Sequence, residues 1–495
     1  MSMKRSILSL ALAVATTISA AAQPSLQQRV LNIIQNSSAF KGAGVAVMVK
    51  TTKGATVATV NADQRMIPAS NLKLITTGTA LNTLGPDYRF KTAIGYTGTI
   101  QDGTLQGDLY IIGGGDPTTG GGDVASFALE ETFLTWERIV KNAGIERIDG
   151  NIIGDSRAWE GFLEFGDWTY EDIGTYYGTG SGALCFYKNA IDLQVAAGIS
   201  EGDPVQAVQA YPETPWMHNT NSAFTGKEGT GNSLYLYTTD LAPYAELRGS
   251  FATDRAPKTE HFANKFGALT CAYYFLNFLK ADGMEITGGA ADIDRNGRIR
   301  GTDFVPGEKA GEPVRIGASQ SKTLADIARQ TNVESDNFYA EAIFRTMGEE
   351  ASGYAVYDSA RVAEKSALKK LGLNPDEVTI ADGSGLSRRN AVSAKFINAY
   401  LQAMASSPAF PAFLASIPTP GEGTLAPVLK SNPAKYRYRI KSGSMEGVLC
   451  YSGYLLDDDG TPVATLSLLV NGATAKTAQV RRALEAILEE LLLYL

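Results

Sequence analysis

Three short clusters carry side chains that could do covalent chemistry together: Ser70-Asn71-Leu72-Lys73, Ser335-Asp336-Asn337 and Lys441-Ser442-Gly443-Ser444. A serine hydroxyl becomes a strong nucleophile when a base takes its proton, and an amine three residues further along a helix lies on the same face. That amine must be neutral to act as a base. Its pKa then has to sit well below that of free lysine, which burial and a second nearby cation both achieve; Lys441 is the candidate for the second charge. The helix N-terminus adds unpaired backbone N–H groups where an oxyanion would form on an attacked carbonyl. In such a site Ser335 would relay a proton to a departing amine and Asn337 would hold a substrate amide. Lys441 and Ser442 would bind a terminal carboxylate, while Gly443 would let the substrate approach the backbone.

The elements that must position these groups are legible in the spacing of apolar residues. Gly44 to Asn61 alternates about Lys53-Gly54 and predicts a β-hairpin. Pro68-Ala69-Ser70 then opens a helix carried by Leu72, Ile75, Leu81 and Leu84 and stopped by Gly85-Pro86. Ser335 follows a helix expected over Ser321 to Thr331, in a turn that Asp336 or Ser335 caps before the next helix, Phe338 to Met347. Helices are also expected over Arg361 to Leu371 and Ala394 to Met404. Lys441 closes a strand from Tyr436, and strands follow over Val448 to Leu456 and Val463 to Val470. The last helix, from about Ala475, carries Val480, Leu484, Ile487, Leu488 and Leu491 at helical spacing. Packing against those strands accounts for it better than a membrane surface, because Glu485, Glu489 and Glu490 would be repelled by anionic lipid.

More than half the chain separates Ser70 from Ser335, and the texture changes between them. From Asp87 to Phe304, short strand-like runs alternate with glycine-rich turns, with one helix expected near Phe262 to Leu279. The reading is an α/β (α+β) chain: a discontinuous catalytic domain over 23–86 and 305–495, interrupted by a mostly-β insertion over 87–304 of one or two subdomains.

Composition narrows the chemistry. A net charge of −8 over 495 residues gives no basic footprint for nucleic acid. The chain has only 2 histidines, His218 and His261, far apart and without a second ligand at metal spacing, so a catalytic zinc site is not expected. A Ser-His-Asp triad would have to draw on one of these two histidines, and a hydrolase of this composition would use a base other than histidine. No cofactor and no metal are assigned. The 3 cysteines, Cys185, Cys271 and Cys450, read as small buried residues rather than a disulfide framework.

Met1 to Ala22 reads as a cleaved secretory signal peptide: Lys4 and Arg5, an apolar stretch from Ile7 to Ile18, then Ala20-Ala21-Ala22 before Gln23. No cysteine follows for a lipid anchor and no later run is long enough to span a bilayer, so a periplasmic or otherwise exported protein without a transmembrane anchor is expected. The runs GGGDPTTGGGD and GTGSG lack the context of phosphate loops and read as tight turns. Asp292 to Asp303 resembles a calcium loop, but Arg295, Arg298 and Arg300 oppose a cation and no helix is expected to abut it.

S-x-x-K, S-D-N and K-T-G together form the signature of class A β-lactamases and penicillin-binding proteins. The chain resembles in particular the penicillin-binding protein 4 type of D-alanyl-D-alanine carboxypeptidase/endopeptidase, the S13 peptidases. The resemblance runs through GDLYIIGGGDPTT, GNIIGDSRAW, YYGTGSGAL, ESDNFYAEAI, ADGSGLSRRNAVS and GEGTL, covering essentially the whole mature chain. It implies a β-lactamase/transpeptidase-like fold and attack by Ser70 on D-Ala-D-Ala stem peptides or cross-links, with Lys73 as base. It implies Ser335 and Asn337 as relay and clamp, Lys441 and Ser442 on the terminal carboxylate, and an oxyanion hole from the N–H groups of Ser70 and Ser444. It further implies a pocket for the stem peptide's diamino acid at Asp172, Arg388 and Met445, and covalent inhibition by β-lactams. Serines stand at 442 and 444 where the family usually has threonines, which implies altered rates rather than loss of function. Two other readings use the same residues: a serine β-lactamase or esterase, and a non-catalytic stem-peptide-binding protein.

Overall fold

The computed structural model describes residues 24–495, so the Met1–Ala22 leader lies outside the described residues. The two ends of the chain build one antiparallel five-stranded sheet, ordered Thr56–Val60, Gly44–Thr51, Pro462–Asn471, Val448–Leu456, Tyr438–Met445. Alternation along the strands feeds two cores, as the period of two requires. Val45, Val47, Val49, Leu449 and Tyr451 face the helices Leu26–Asn36 and Thr477–Tyr494. Ala46, Met48, Val448, Cys450 and Tyr454 face the larger helical layer. At ~1.5–3 kcal/mol for each large apolar side chain fully buried, these cores fix the sheet's register.

The helical layer centres on Lys73–Thr83, whose residues from Lys73 to Leu81 are all buried. Around it pack Leu324–Val333, Asn337–Ser352, Tyr357–Lys370, Ala394–Ala405 and Phe410–Ser416. The terminal helix buries Val480, Leu484, Ile487, Leu488 and Leu491 against the sheet, on the face that its spacing predicts.

Between Leu84 and Ser321 lies a seven-stranded mixed sheet: Pro306–Lys309, Arg298–Gly301, Ala290–Ile293, Ile152–Asp155, Leu109–Ile112, Lys91–Tyr96, Val314–Gln320. Smaller sheets include Ala190–Ala196 paired with Gln206–Tyr211 and Lys258–Ala263, and Tyr235–Thr238 paired with Tyr244–Arg248. Two particulars differ from the sequence reading. Val314–Gln320, expected in the second catalytic segment, pairs with Lys91–Tyr96, so the seven-stranded sheet continues 16 residues past Phe304 before the chain returns to the helical layer. The helix Leu129–Asn142 was not expected among glycine-rich turns; it buries Phe133, Trp136 and Val140 against the helix Gly267–Ala281. The Asp292 loop is a hairpin in which Asp292 accepts from Arg300 Nε at 2.9 Å and Nη2 at 2.6 Å, so the carboxylate serves an ion pair.

Candidate active site

Ser70 lies in a 3-10 turn, Ala69–Leu72, that runs into the helix beginning at Lys73. The turn is held under strain: Ala69 adopts φ 46°, a left-handed conformation that costs a non-glycine residue ~1–2 kcal/mol. Its neighbours fit it closely. Asn71 Nδ2 donates to the carbonyls of Lys441 at 2.8 Å and Cys450 at 3.2 Å, tying the turn to the two strands beside it. A Cβ on Gly443 would meet Pro68 O at 2.3 Å and Asn71 N at 2.7 Å. This corrects the role expected of Gly443: its bare Cα lets the edge strand Tyr438–Met445 approach the Ser70 turn, and faces the protein's own backbone rather than a substrate.

Lys73 is fully buried, and its Nζ sits 2.9 Å from Ser70 Oγ, 2.6 Å from Asn337 Oδ1 and 2.8 Å from Ser384 O. Asn337 Oδ1 and the Ser384 carbonyl can only accept, so they take two of the amine's protons. The third neighbour is a hydroxyl, which accepts from an ammonium and donates to a neutral amine. The same three contacts therefore serve both protonation states, as proton transfer from Ser70 requires. Burial lowers Lys73 to about 8, while the carboxylates of Glu341, Asp382 and Asp336 pull it back upward. The expected depression of Lys73 by a neighbouring cation falls instead on Lys441. Lys441 is pushed well below the ordinary lysine range by burial first and then by the Lys73 charge.

Lys441 Nζ donates to Ser335 Oγ at 2.9 Å and to the Ser442 carbonyl at 2.8 Å. Ser335 also adopts a left-handed φ of 60°, directly before Asp336, which caps the helix Asn337–Ser352 by accepting from Tyr339 N. Asn337 Nδ2 donates to Tyr177 O at 2.9 Å while Oδ1 faces Lys73, so its amide positions the lysine in addition to facing the cleft. Ser442 Oγ shares a 2.8 Å hydrogen bond with Thr424 Oγ1. Ile440 N donates to Pro418 O, away from the neighbouring strand, and the period of two turns the Ser442 and Ser444 N–H groups to the same side.

These groups border a cleft of about 1100 Å³ lined by Ser70, Ser335, Asn337, Ser442 and Ser444, with Lys73, Lys441 and Gly443 buried behind that wall. Asp172, Arg388 and Met445 line the same cleft; Asp172 accepts from Thr169 Oγ1 at 2.6 Å, and Arg388 is exposed. Sequence reasoning gave no separate role to Asn71, Tyr177, Ser384, Thr424 or Glu341. Glu341 is buried beneath Lys73 and accepts from the N–H groups of Gly383 and Ser384, holding the carbonyl that meets Lys73. Burial and the Asp382 charge hold its carboxyl above the usual carboxylate range.

The S-x-x-K, S-D-N and K-T-G-type runs thus meet at one site, the signature shared by class A β-lactamases and penicillin-binding proteins. Comparison with known proteins narrows this class. The chain belongs to the D-Ala-D-Ala carboxypeptidase 3 (S13) family, which matches residues 26–491. It is thereby a hydrolase of the serine-type carboxypeptidase class. It is 28% identical over 466 residues to a D-alanyl-D-alanine carboxypeptidase of Actinomadura sp., covering 89% of this chain and 80% of that one. It is 25% identical over 452 residues to the D-alanyl-D-alanine carboxypeptidase DacB of Haemophilus influenzae, covering 87% and 86%. The fold is similar to the crystal structure of penicillin binding protein 4 from Haemophilus influenzae, with a TM-score of 0.78 at 22% identity over 94% of this chain and 99% of that one. That protein has also been crystallised with a β-lactam. Among the described residues, no helix is long and apolar enough to cross a membrane.

Proposed function

We propose that the enzyme cleaves the D-Ala-D-Ala terminus of peptidoglycan stem peptides, and the D-Ala cross-link between them, through an ester on Ser70. The observation that carries this reading is the 2.9 Å contact of Ser70 Oγ with a buried Lys73 whose other two partners only accept. Neutral Lys73 takes the Ser70 proton, and Oγ attacks the carbonyl carbon of the penultimate D-Ala. The N–H groups of Ser70 and Ser444 receive the oxyanion. As the C–N bond breaks, the departing amine takes a proton from Ser335 Oγ, which is replenished from Lys441 Nζ at 2.9 Å. The acyl-enzyme is left with Lys73 as an ammonium and Lys441 neutral; water then adds to the ester carbonyl and gives its proton through Ser335 Oγ to Lys441 Nζ, while Lys73 returns its proton to Ser70 Oγ as the ester opens.

Ser442, held by Thr424, and Lys441 bind the terminal carboxylate. Asp172, Arg388 and Met445 receive the side chain of the stem's diamino acid, since an acidic group and a basic group together match its amine and carboxylate. A β-lactam acylates the same serine, but its leaving nitrogen stays tethered to the acyl group, so the adduct persists. The enzyme works outside the cytoplasm, with Met1–Ala22 as its leader, and the catalytic body is built from both chain ends around the inserted sheets.

The test is release of D-Ala from a peptide ending in D-Ala-D-Ala by the purified protein, with Ser70→Ala as control. Release that depends on Ser70 is expected. No release, together with rapid catalytic opening of penicillin, would assign a β-lactamase. Peptide binding without either reaction would assign a stem-peptide-binding protein.

A further inference from the structure

The inserted region presents one sheet face that the chemistry above does not use. In the sheet formed by His218–Asn221, Tyr244–Arg248 and Tyr235–Thr238, one side buries Leu236, Ala245 and Leu247 in a small core. The other side faces outward and is paved with rings. Tyr235 and Tyr237 lie 5.2 Å apart, Tyr170 packs on Tyr237 at 4.9 Å, and His218 stacks on Tyr244 at 5.0 Å with 25° between the rings. Tyr170 and Tyr244 are 64% and 60% exposed. None of the four tyrosine hydroxyls has a partner among the described residues. Such ring-rich exposure is unusual for a face with nothing to bind.

Three further features identify the ligand's chemistry. The face carries little free charge: Arg248, lying 4.2 Å over Tyr237, is paired with Glu246 at 2.8 Å. A polyanion or a charged lipid surface would find no unpaired cation there. Flat rings with unsatisfied hydroxyls suit a ligand with apolar C–H faces and a hydroxyl-rich rim, which describes a pyranose, because the ring's negative face attracts C–H groups while the phenol tips bond hydroxyls. The platform also adjoins the segment that borders the catalytic cleft: Tyr170, which packs on Tyr237, stands in the chain between Thr169 and Glu171, both of which line it. Three strands at about 4.8 Å spacing make the platform roughly 10 Å wide.

We propose that this tyrosine face is a binding site for neutral glycan, holding the polysaccharide strand of N-acetylated amino sugars while its attached peptide enters the cleft past Tyr170. The proposal rests on the peptidoglycan reading of the cleft for its substrate, and its test is independent of catalysis. Short neutral oligomers of β-1,4-linked N-acetylglucosamine are titrated into the full protein and into a Tyr170→Ala/Tyr244→Ala variant. Both residues are exposed, so folding is expected to be intact, which a thermal melt checks.

Wild-type protein is expected to bind these neutral oligomers, and each lost ring to weaken binding roughly five-fold. Hydrolysis of a short D-Ala-D-Ala peptide stays unchanged in the variant, while D-Ala release from polymeric peptidoglycan falls by the same factor as binding. Wild-type protein that ignores the neutral oligomers would overturn the proposal, even with full activity on the short peptide. Equal glycan binding by the variant, with loss of self-association on ultracentrifugation, would overturn it too and assign the face to a second copy of the chain. Inactivity on the short peptide with intact glycan binding would refute the reading of the cleft and leave the glycan site standing.

Discussion

Replacing Gly443 by alanine separates two physical roles for the same residue. An added Cβ would lie 2.3 Å from Pro68 O and 2.7 Å from Asn71 N, both backbone atoms of the turn that carries Ser70. Ordinary contact begins near 3.4 Å. The edge strand and the turn must therefore separate by about 1 Å, at a cost of ~1–3 kcal/mol for overpacking. The movement stretches the Asn71 bonds to Lys441 O and Cys450 O and carries Lys441 and Ser442 away from Ser70. A 1 Å displacement of reacting groups costs about 100-fold in rate. Two measurements check this: the thermal midpoint, expected to fall by several degrees, and the rate of Ser70 acylation by labelled penicillin, expected to fall about 100-fold at saturating penicillin. If Gly443 served substrate approach, the variant would keep wild-type stability and lose only affinity. An unchanged thermal midpoint with a purely KM-type defect would refute the packing argument.

Further outcomes follow from the same geometry. Because the Lys73 ammonium is inactive and the amine is the base, acylation should rise tenfold per pH unit below about 8 and level off above it; a stopped-flow profile flat from about pH 6 to about pH 9 would exclude Lys73 as the base. Ser442→Ala should lower kcat/KM for carboxylate-terminated peptides by about 10–100-fold, the worth of a hydrogen bond to a charged group, and unchanged activity would remove the hydroxyl from the site. Asp172→Asn should raise KM for a stem peptide with a diamino third residue by about tenfold and leave one with an alkyl side chain untouched, as steady-state kinetics would show. Glu364 is buried with Thr79 Oγ1 as its hydrogen-bond partner, and burial raises its pKa to about 8. Its folded state thus holds a proton that the unfolded chain releases near pH 4.5, so the contribution of Glu364 to stability is full below that pH and is lost as pH rises to about 8. Glu364→Gln should cancel the decline, gaining ~1.4 kcal/mol per pH unit across that window in urea melts, and parallel pH curves for the two proteins would contradict it.

Much of the site is legible in the chain because its parts are local. The Ser70–Lys73 spacing is a property of one helical turn, and the capping of Asn337–Ser352 by Asp336 is written in the Ser-Asp-Asn run. The terminal strands and helix follow from apolar alternation and periodicity, since each strand faces two cores. What escaped depends on contacts across the chain. Ser384 O meets Lys73 from 311 residues away and Thr424 meets Ser442 only after the edge strand folds back, and a backbone carbonyl or a lone hydroxyl has no sequence signature. Gly443 was misread for the same reason: sequence marks a close approach without saying to what. Val314–Gln320 and Leu129–Asn142 lie in the inserted region, where edge pairing and helix packing override the local turn-rich texture.

The central claim is that Ser70, deprotonated by Lys73, forms a covalent acyl-enzyme. Peptide mapping by mass spectrometry after brief exposure to penicillin tests it directly. A penicilloyl adduct on the tryptic peptide containing Ser70, absent from the Ser70→Ala protein, is the expected result. Labelling at another residue, or equal labelling of the Ser70→Ala protein, would contradict it.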